Sequence, residues 1–302
     1  MIIVKLMGGL GNQLFQYAFG RALSIEKGDK LKFDLTAYSK QGKKEFITPR
    51  TYALDQFNLT DFKFASENEI MKFKTIRRYN FFGSFQAKIN NYRFKTVEET
   101  AFNFHKVSNL KGKNFYFEGY WQTEKYFKHV ENVVRREFVL KEAFSIEDLP
   151  ITKEVRSCNS ISLHIRRGDY VTSSDTNNFH GVCSLEYYAK AVDLISQKIS
   201  KPIFYVFSDD IDWARQNIKV DFETKFIADL NLKDCQEMML MSYCKHNITA
   251  NSSFSWWGAW LNQNKNKMVV VPFNWFANKE LDTTDLIPKG WHKIKTALMV
   301  GK

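Results

Sequence analysis

The sequence predicts an α/β protein built on mostly parallel sheets. Three observations predict it. Short apolar runs alternate with helical stretches through the second half of the chain. The chain opens with an apolar run, a glycine-rich turn and a helix, the start of a Rossmann-like unit. The stretch Ser160-Ile-Ser-Leu-His-Ile-Arg-Arg-Gly-Asp-Tyr170 reads as a buried strand that ends in two arginines. That is where open α/β sheets bind their ligands. A length of 302 residues fits one large or two medium domains.

Taken in order, residues 2–6 are a short apolar run, the signature of a buried strand. Gly8-Gly9-Leu10-Gly11-Asn12-Gln13 follows as the turn, and a helix starts near Gln13. Leu14, Tyr17, Ala18, Ala22 and Ile25 recur at helical spacing and give it a buried face, and Gly28 ends it. The turn has neither the third glycine of a dinucleotide fingerprint nor the lysine of a P-loop. It reads either as a packing turn or as a place where backbone approaches a ligand, with Asn12 and Gln13 as amide donors. Residues 31–34 form a second strand, and 37–104 read as loops and amphipathic helices, one of them over 67–79. Residues 114–121 form a strand ending in Tyr120 and Trp121, which serve either as a sugar platform or as core. A helix is expected over 124–138. Residues 144–159, with Pro150 and mixed charge, are the candidate linker. The expected domains are therefore 1–150 and 151–302, with the C-terminal segment free to return to the first.

The second half has the clearer rhythm. Strand 160–165 comes first. Ser184 then caps a helix with Leu185, Tyr188, Ala189, Val192 and Ile195 as its apolar face. Strand 203–207 ends in Ser208-Asp209-Asp210, and a helix starts near Asp212. A helix over 234–244, a strand over 247–250, a serine- and tryptophan-rich helix start and a strand over 268–271 complete the pattern.

Composition narrows the partners. Hydrophobic residues make up 44% of the chain, enough for a sizeable core, and its net charge of +11 favours anionic partners. Those are nucleic acid, a nucleotide diphosphate or an acidic membrane face. Lys and Arg never run longer than two in a row, so a basic tail is not the source. The apolar N-terminus meets Gly8-Gly9 too soon for a signal peptide, and no apolar run approaches the roughly 18 residues of a membrane span. Cys158, Cys183, Cys235 and Cys244 form no Cys-x-x-Cys pair, so free thiols in a reducing cytoplasm are expected.

Two motifs carry chemistry. Guanidinium forks match phosphate oxygens, so Arg166 and Arg167 beside Gly168 suggest a diphosphate. The alternative is a surface loop in which Asp169 pairs with a neighbouring arginine. Asn251-Ser252-Ser253-Phe254-Ser255 stands at a strand-to-helix junction, where unpaired N–H groups and serine hydroxyls cradle anions. Its alternative is an ordinary serine-capped helix. Asp210-Ile-Asp212 matches the metal-binding Asp-x-Asp only weakly, and no metal or cofactor is expected. Glu237, if near a nucleotide pocket, can accept two hydrogen bonds from guanine. His105, His129 and His180 show no ligand spacing.

Gly8-Gly-Leu-Gly-Asn-Gln13, His164-Ile-Arg-Arg-Gly-Asp-Tyr170 and Ala250-Asn-Ser-Ser-Phe-Ser-Trp-Trp-Gly-Ala-Trp-Leu261 together resemble the bacterial α-1,2-fucosyltransferases of glycosyltransferase family 11. The resemblance runs from residue 1 to about 290. It implies a GT-B fold, two Rossmann-like halves facing a cleft, with GDP-fucose on the C-terminal half and a β-galactoside-terminated glycan on the N-terminal half. It implies inversion without a metal. On that reading the catalytic candidates are Arg166, Asn12, Asp169 and His164, the last two as alternative bases. The donor-binding candidates are Arg166, Arg167, Gly11, Asn12, Ser208, Asp209, Glu237, Asn251, Ser252, Ser253 and Phe254. Arg167 has a second reading, orienting the loop through Asp169. A surface-polysaccharide or O-antigen role and peripheral contact with the inner membrane face are further expectations. The competing readings are transfer of another GDP-linked sugar and a basic nucleic-acid-binding protein.

Overall fold

A computed structural model describes residues 1–39, 50–60, 62–79 and 93–300, without the side chains of 75–79. Part of the region read as loops and helices, 40–49 and 80–92, lies outside the described residues. The chain divides into two units, Met1–Val139 with Asp282–Leu286, and Leu140–Leu281 with Ile287–Lys302.

The first unit is a parallel four-stranded sheet. β1 (Ile2–Lys5) is followed by helix α1 (Leu10–Lys27), β2 (Leu31–Asp34), α2 (Glu67–Tyr79), β3 (Phe94–Glu98), β4 (Asn114–Glu118) and α3 (Glu131–Glu137). The sheet order is β2-β1-β4-β3. Ile2, Ile3 and Val4 are fully buried, which is why β1 can be central. Helix α1 starts earlier than expected, at Leu10, so Gly11, Asn12 and Gln13 belong to its first turn. It is buried almost all round up to Ser24, and Gly28 closes it in the left-handed region at φ 64°. Ile25, expected on the buried face, is 40% exposed. Gln13 is not a free donor: its amide donates to the Gly8 and Thr51 carbonyls and accepts from the Ala53 N–H. Trp121 is not a platform either. It stacks on Phe19 with centroids 4.2 Å apart and is buried. The single helix expected over 124–138 is broken into two short 3-10 turns before α3, because Tyr126 and Phe127 turn into the core.

The second unit contains α4 (Pro150–Ser157), β5 (Ser160–Ile165), α5 (Gly168–Thr172), α6 (Ser174–His180), β6 (Val182–Cys183), α7 (Leu185–Ser196), β7 (Ile203–Ser208), α8 (Ile211–Asn217), β8 (Thr224–Phe226), α9 (Asp234–Tyr243), β9 (His246–Ile248), α10 (Ser253–Leu261), β10 (Val269–Pro272), β11 (His292–Ile294) and β12 (Leu298–Met299). The expected linker is therefore packed structure. Pro150 starts a helix, where its missing N–H costs nothing, and Ile146 is buried. This is why the chain changes units at Val139 and Leu140, ahead of residue 150. Six parallel strands lie in the order β11-β10-β9-β5-β7-β8. Numbered by their succession along the chain, that is the Rossmann order, with a reversal between β5 and β9. Ile161, Leu163 and Ile165 pack with Tyr187, Tyr188, Ala191, Val192 and Ile195 of α7. Each such aliphatic side chain contributes roughly 1.5–3 kcal/mol. Helix α7 is rotated from the expected face: Leu185 and Ala189 are exposed, and Tyr187 and Ala191 are buried instead. β6 and β12 form a separate antiparallel pair.

Candidate active site

The residues after β5, β7 and β9 leave neighbouring parallel strands at the same edge of the second sheet. Loops at a strand-order reversal diverge to opposite faces and leave a crevice between them. Here the crevice is bounded by Arg166–Tyr170 on one side and Asn251–Phe254 on the other. The two sides are tied by the Tyr170 hydroxyl, which donates to the Asn251 carbonyl at 3.4 Å, and by the His164 and Phe254 rings at 5.6 Å.

Arg166 is held between two carboxylates. One terminal nitrogen pairs with Asp169, and the other lies 2.8 Å from Asp209. The guanidinium also sits 5.2 Å over the Tyr170 ring. Burial works against its charge, but Asp209, Tyr170 and Asp169 outweigh that, and its pKa is raised. Arg167 points elsewhere. Its Nε lies 3.2 Å from Asp210, and its guanidinium lies 3.8 Å over Trp213. The expectation that Arg167 orients the loop through Asp169 is thus corrected: Arg166 makes that pair, because three residues of a short helix start bring Asp169 back beneath it. Arg167 contributes its N–H to Asp209, at 2.9 Å. Gly168 is required for space rather than for a turn. A Cβ there would stand 2.5 Å from the Asp209 carboxylate.

His164 is 5% exposed, and its Nδ1 has no hydrogen-bond partner among the described residues. Burial first, and the Arg166 charge second, push its pKa down to about 3. A neutral imidazole with so low a pKa is a poor proton acceptor near pH 7. The base assignment to His164 is corrected on that ground.

The serine cradle is smaller than expected. The Ser252 hydroxyl accepts from the Phe254 N–H at 3.3 Å as the helix cap, and the buried Ser255 hydroxyl donates back to the Ser252 carbonyl at 3.4 Å. Ser253, half-buried at the first position of α10, keeps its place at the crevice. Asn251 is a brace and not a ligand group. Its side chain donates to the carbonyls of His180, Gly181 and Trp275 and accepts from the Cys183 thiol. Ser208 is a turn brace, its hydroxyl accepting from the Asp210 N–H. Asp210 caps α8 and pairs with Arg167, so the Asp-x-Asp acid already has structural work.

Glu237 lies in the first turn of α9. Burial, then Asp234 and Asp209, push its carboxyl up to about 7. The influence of Asp209 ties it to the Arg166 edge. Sequence reasoning missed Tyr170 and Trp213 as supports of the two guanidiniums, although both rings stand inside or next to the quoted motifs. In the first unit, Asn12 and Gly11 sit at the start of α1, and the side-chain amide oxygen of Asn12 accepts from the Gln122 amide at 2.8 Å. A cavity of about 270 Å³ beside the middle of α1, lined by Phe19, Leu23, Phe104, Tyr126, Lys125 and His129, shares no residue with either edge.

A Rossmann crevice with an arginine fork on one side and a helix start on the other defines a class that handles nucleotide-linked substrates. The model of glycosyl transferase family 11 matches residues 1–295. The chain belongs to that family and is a glycosyltransferase. It is 33% identical over 302 residues to the α-1,2-colitosyltransferase of Escherichia coli, covering 98% of this chain and 99% of that one. It is 34% identical over 299 residues to the Escherichia coli O-antigen biosynthesis glycosyltransferase WbnK, covering 93% and 97%. Mouse galactoside α-(1,2)-fucosyltransferase 2 is 26% identical over 160 residues, 51% of this chain and 46% of that one. Among solved structures, fucosyltransferase NodZ from Bradyrhizobium matches with a TM-score of 0.50 and 11% identity, over 85% of this chain and 92% of that one. The fold is of the GT-B class. The nucleic-acid-binding reading gives way to the family.

Proposed function

We propose that the chain transfers L-fucose from GDP-β-L-fucose to the 2-hydroxyl of a terminal β-galactoside, with inversion and without a metal. The observation that carries this is Arg166 at the β5–β9 reversal, opposite the start of α10. The α-1,2 linkage in the names of the colitosyl and galactoside fucosyl relatives supports the regiochemistry. On this reading the acceptor hydroxyl oxygen attacks the anomeric carbon as the bond to the diphosphate oxygen breaks. GDP leaves with the bonding pair, and the hydroxyl proton passes to a base. The leaving charge falls on Arg166 and on the Ser253 end of α10. Stabilising charge that develops only in the transition state is worth several kcal/mol.

A diphosphate that takes up the Arg166 guanidinium displaces it from Asp169, which serves as the base. Neutral His164 packs against Phe254, and Glu237 accepts from guanine's N1–H and exocyclic amine. Arg167 acts through Asp209, holding the loop, rather than on phosphate. The N-terminal unit binds the acceptor, with Asn12 in that edge. Arg166→Ala is expected to lower kcat/KM by roughly 10²-fold or more. Near-normal turnover by that variant removes Arg166 from the role.

A second donor reading rests on the colitosyltransferase relative, which matches nearly the full chain. Parallel assays with GDP-fucose and a nucleotide-linked colitose, with the product linkage read by NMR, separate the two. An O-antigen setting is proposed from WbnK, along with a cytoplasmic location and peripheral contact with an anionic bilayer. Between Ile287 and Val300 the chain has Lys289, Lys293 and Lys295 and no acid, and all three lysines are exposed. Lys293 lies on the edge strand β11, and the Lys295 ammonium sits 5.8 Å over Phe273, which is 48% exposed.

A further inference from the structure

In the first unit β1 and β4 are neighbouring parallel strands that end at the same edge of the sheet. The chain leaves β1 through Met7–Gly9 and leaves β4 through Gly119–Gln122. Gln16, fully buried, ties the two exits together, accepting from the Met7 N–H and donating to the Gly119 carbonyl, each at 3.0 Å. Between the two exits Gln122 donates to Asn12. Gln122 is 7% exposed, and its Oε1 is buried with no hydrogen-bond partner among the described residues. Such an unpaired acceptor costs about 1–3 kcal/mol. Exchanging oxygen and nitrogen in both amides leaves an unpaired donor in the same place, so the deficit does not depend on how the amides are oriented.

The loop that presents Gln122 is held under strain. Trp121 has φ 57°, a region that a bulky side chain rarely adopts and that costs on the order of 1–3 kcal/mol. Glu99 secures it: its carboxylate accepts from the Tyr120 N–H at 2.6 Å and from the Trp121 N–H at 3.0 Å. Gly119 has no room for a side chain, because a Cβ would stand 2.4 Å from that of Glu99. On the other side Gly8, at φ 77°, lets the backbone lie so close to Asn12 that a Cβ would meet its amide nitrogen at 2.5 Å. Both exits thus converge on one amide pair.

The charges around this edge are spent internally. Lys5 pairs with Glu118 at 2.6 Å, and Asp34 accepts from the Tyr116 hydroxyl and the Thr36 N–H. What remains for a ligand among the described residues between these exits is neutral: two carboxamides and the rim of backbone around them. That chemistry suits a sugar hydroxyl, which both donates and accepts, and does not suit a phosphate.

We infer that Gln122 is an acceptor-binding residue: its free amide atom takes a hydrogen bond from a hydroxyl of the galactoside, beside the Asn12 amide, and Glu99 is the positioning residue that fixes the loop. This rests on the acceptor assignment of the N-terminal unit proposed above. The test is Gln122→Met, which keeps length and burial and removes both polar atoms. Binding of a methyl β-galactoside, followed by saturation-transfer NMR without donor, is expected to weaken about tenfold or more, a loss of roughly 1.4 kcal/mol. The thermal midpoint is expected to hold, since half-buried Asn12 can turn to water, and the stabilisation by GDP to stay unchanged. Should the methionine variant not fold, Gln122→Asn withdraws the amide by one methylene and is expected to lose the sugar likewise. In Glu99→Gln, acceptor KM rises while kcat at saturating acceptor is kept. Unchanged galactoside affinity in the Gln122 variants, or a wild-type chain that binds no galactoside, overturns the inference. Absence of any GDP response sinks the donor reading instead and leaves the galactoside comparison standing.

Discussion

At the residue scale, the site turns on which acid each arginine meets. Arg166 between Asp169 and Asp209 is a cation already satisfied by protein carboxylates. On the proposed reading a diphosphate competes with them, its advantage being two charges on adjacent oxygens in place of two separate acids. Glu237 supplies a pH test. Its carboxyl is raised from 4.5 to about 7, so the folded chain holds a proton there that the unfolded chain has lost. Its ionisation therefore works against folding as pH rises from about 4.5 through 7, and the stability is fully present only below that window. On the proposed reading, guanine recognition needs the ionised form. GDP affinity is expected to be weaker at pH 6 than at pH 8, by calorimetry, and the dependence is expected to flatten in Glu237→Gln. A wild-type affinity flat over that range would detach Glu237 from the base.

At the scale of elements, α5 and α10 set the two sides of the crevice. The start of α5 is possible only because Gly168 leaves room for Asp209. Gly168→Ala pushes its new methyl into that carboxylate and displaces it from Arg166. Overpacking of this kind costs typically 1–3 kcal/mol. The expected outcome is a lower thermal midpoint and weaker GDP binding together, read by thermal unfolding with and without GDP. A midpoint unchanged from wild type would show that the loop yields freely. Helix α10 is held on the other side by Trp256, Trp257 and Trp260, all buried, and by close packing of Gly258 on Met241. The serines at its start divide between cap and crevice for a simple reason. A hydroxyl that caps the helix is turned back along the chain and cannot also face a ligand.

At the scale of the molecule, the net charge of +11 is not gathered at the arginine pair, since both guanidiniums are matched by acids. Part of it lies on the acid-free C-terminal stretch around β11. Co-sedimentation with vesicles containing anionic lipid is expected at low salt and is expected to fall away at high salt, while neutral vesicles leave the chain in solution. Replacing Lys289, Lys293 and Lys295 together by Gln is expected to abolish the binding. Equal sedimentation with neutral vesicles would remove the electrostatic account. No described helix is long and apolar enough to cross a membrane.

The sequence by itself determined the succession of strands and helices, the glycine after β1, the arginine pair after β5 and the capped, tryptophan-rich α10. It did so because periodicity, caps and turn residues are local, and strand ends carry the ligand groups in an α/β sheet. The family was legible for the same reason, in three short motifs. Only the tertiary structure decided the partners. Arg167 meets Asp210 from the next strand, Asn251 braces the carbonyls of His180 and Gly181 far back along the chain and of Trp275 ahead of it, and Trp121 turns inward onto Phe19. His164 loses its basicity to burial, and Gln122 meets Asn12 across the exits of two neighbouring strands. Each of these depends on which strands become neighbours. That is settled by the burial of whole faces against one another, and no local spacing records it.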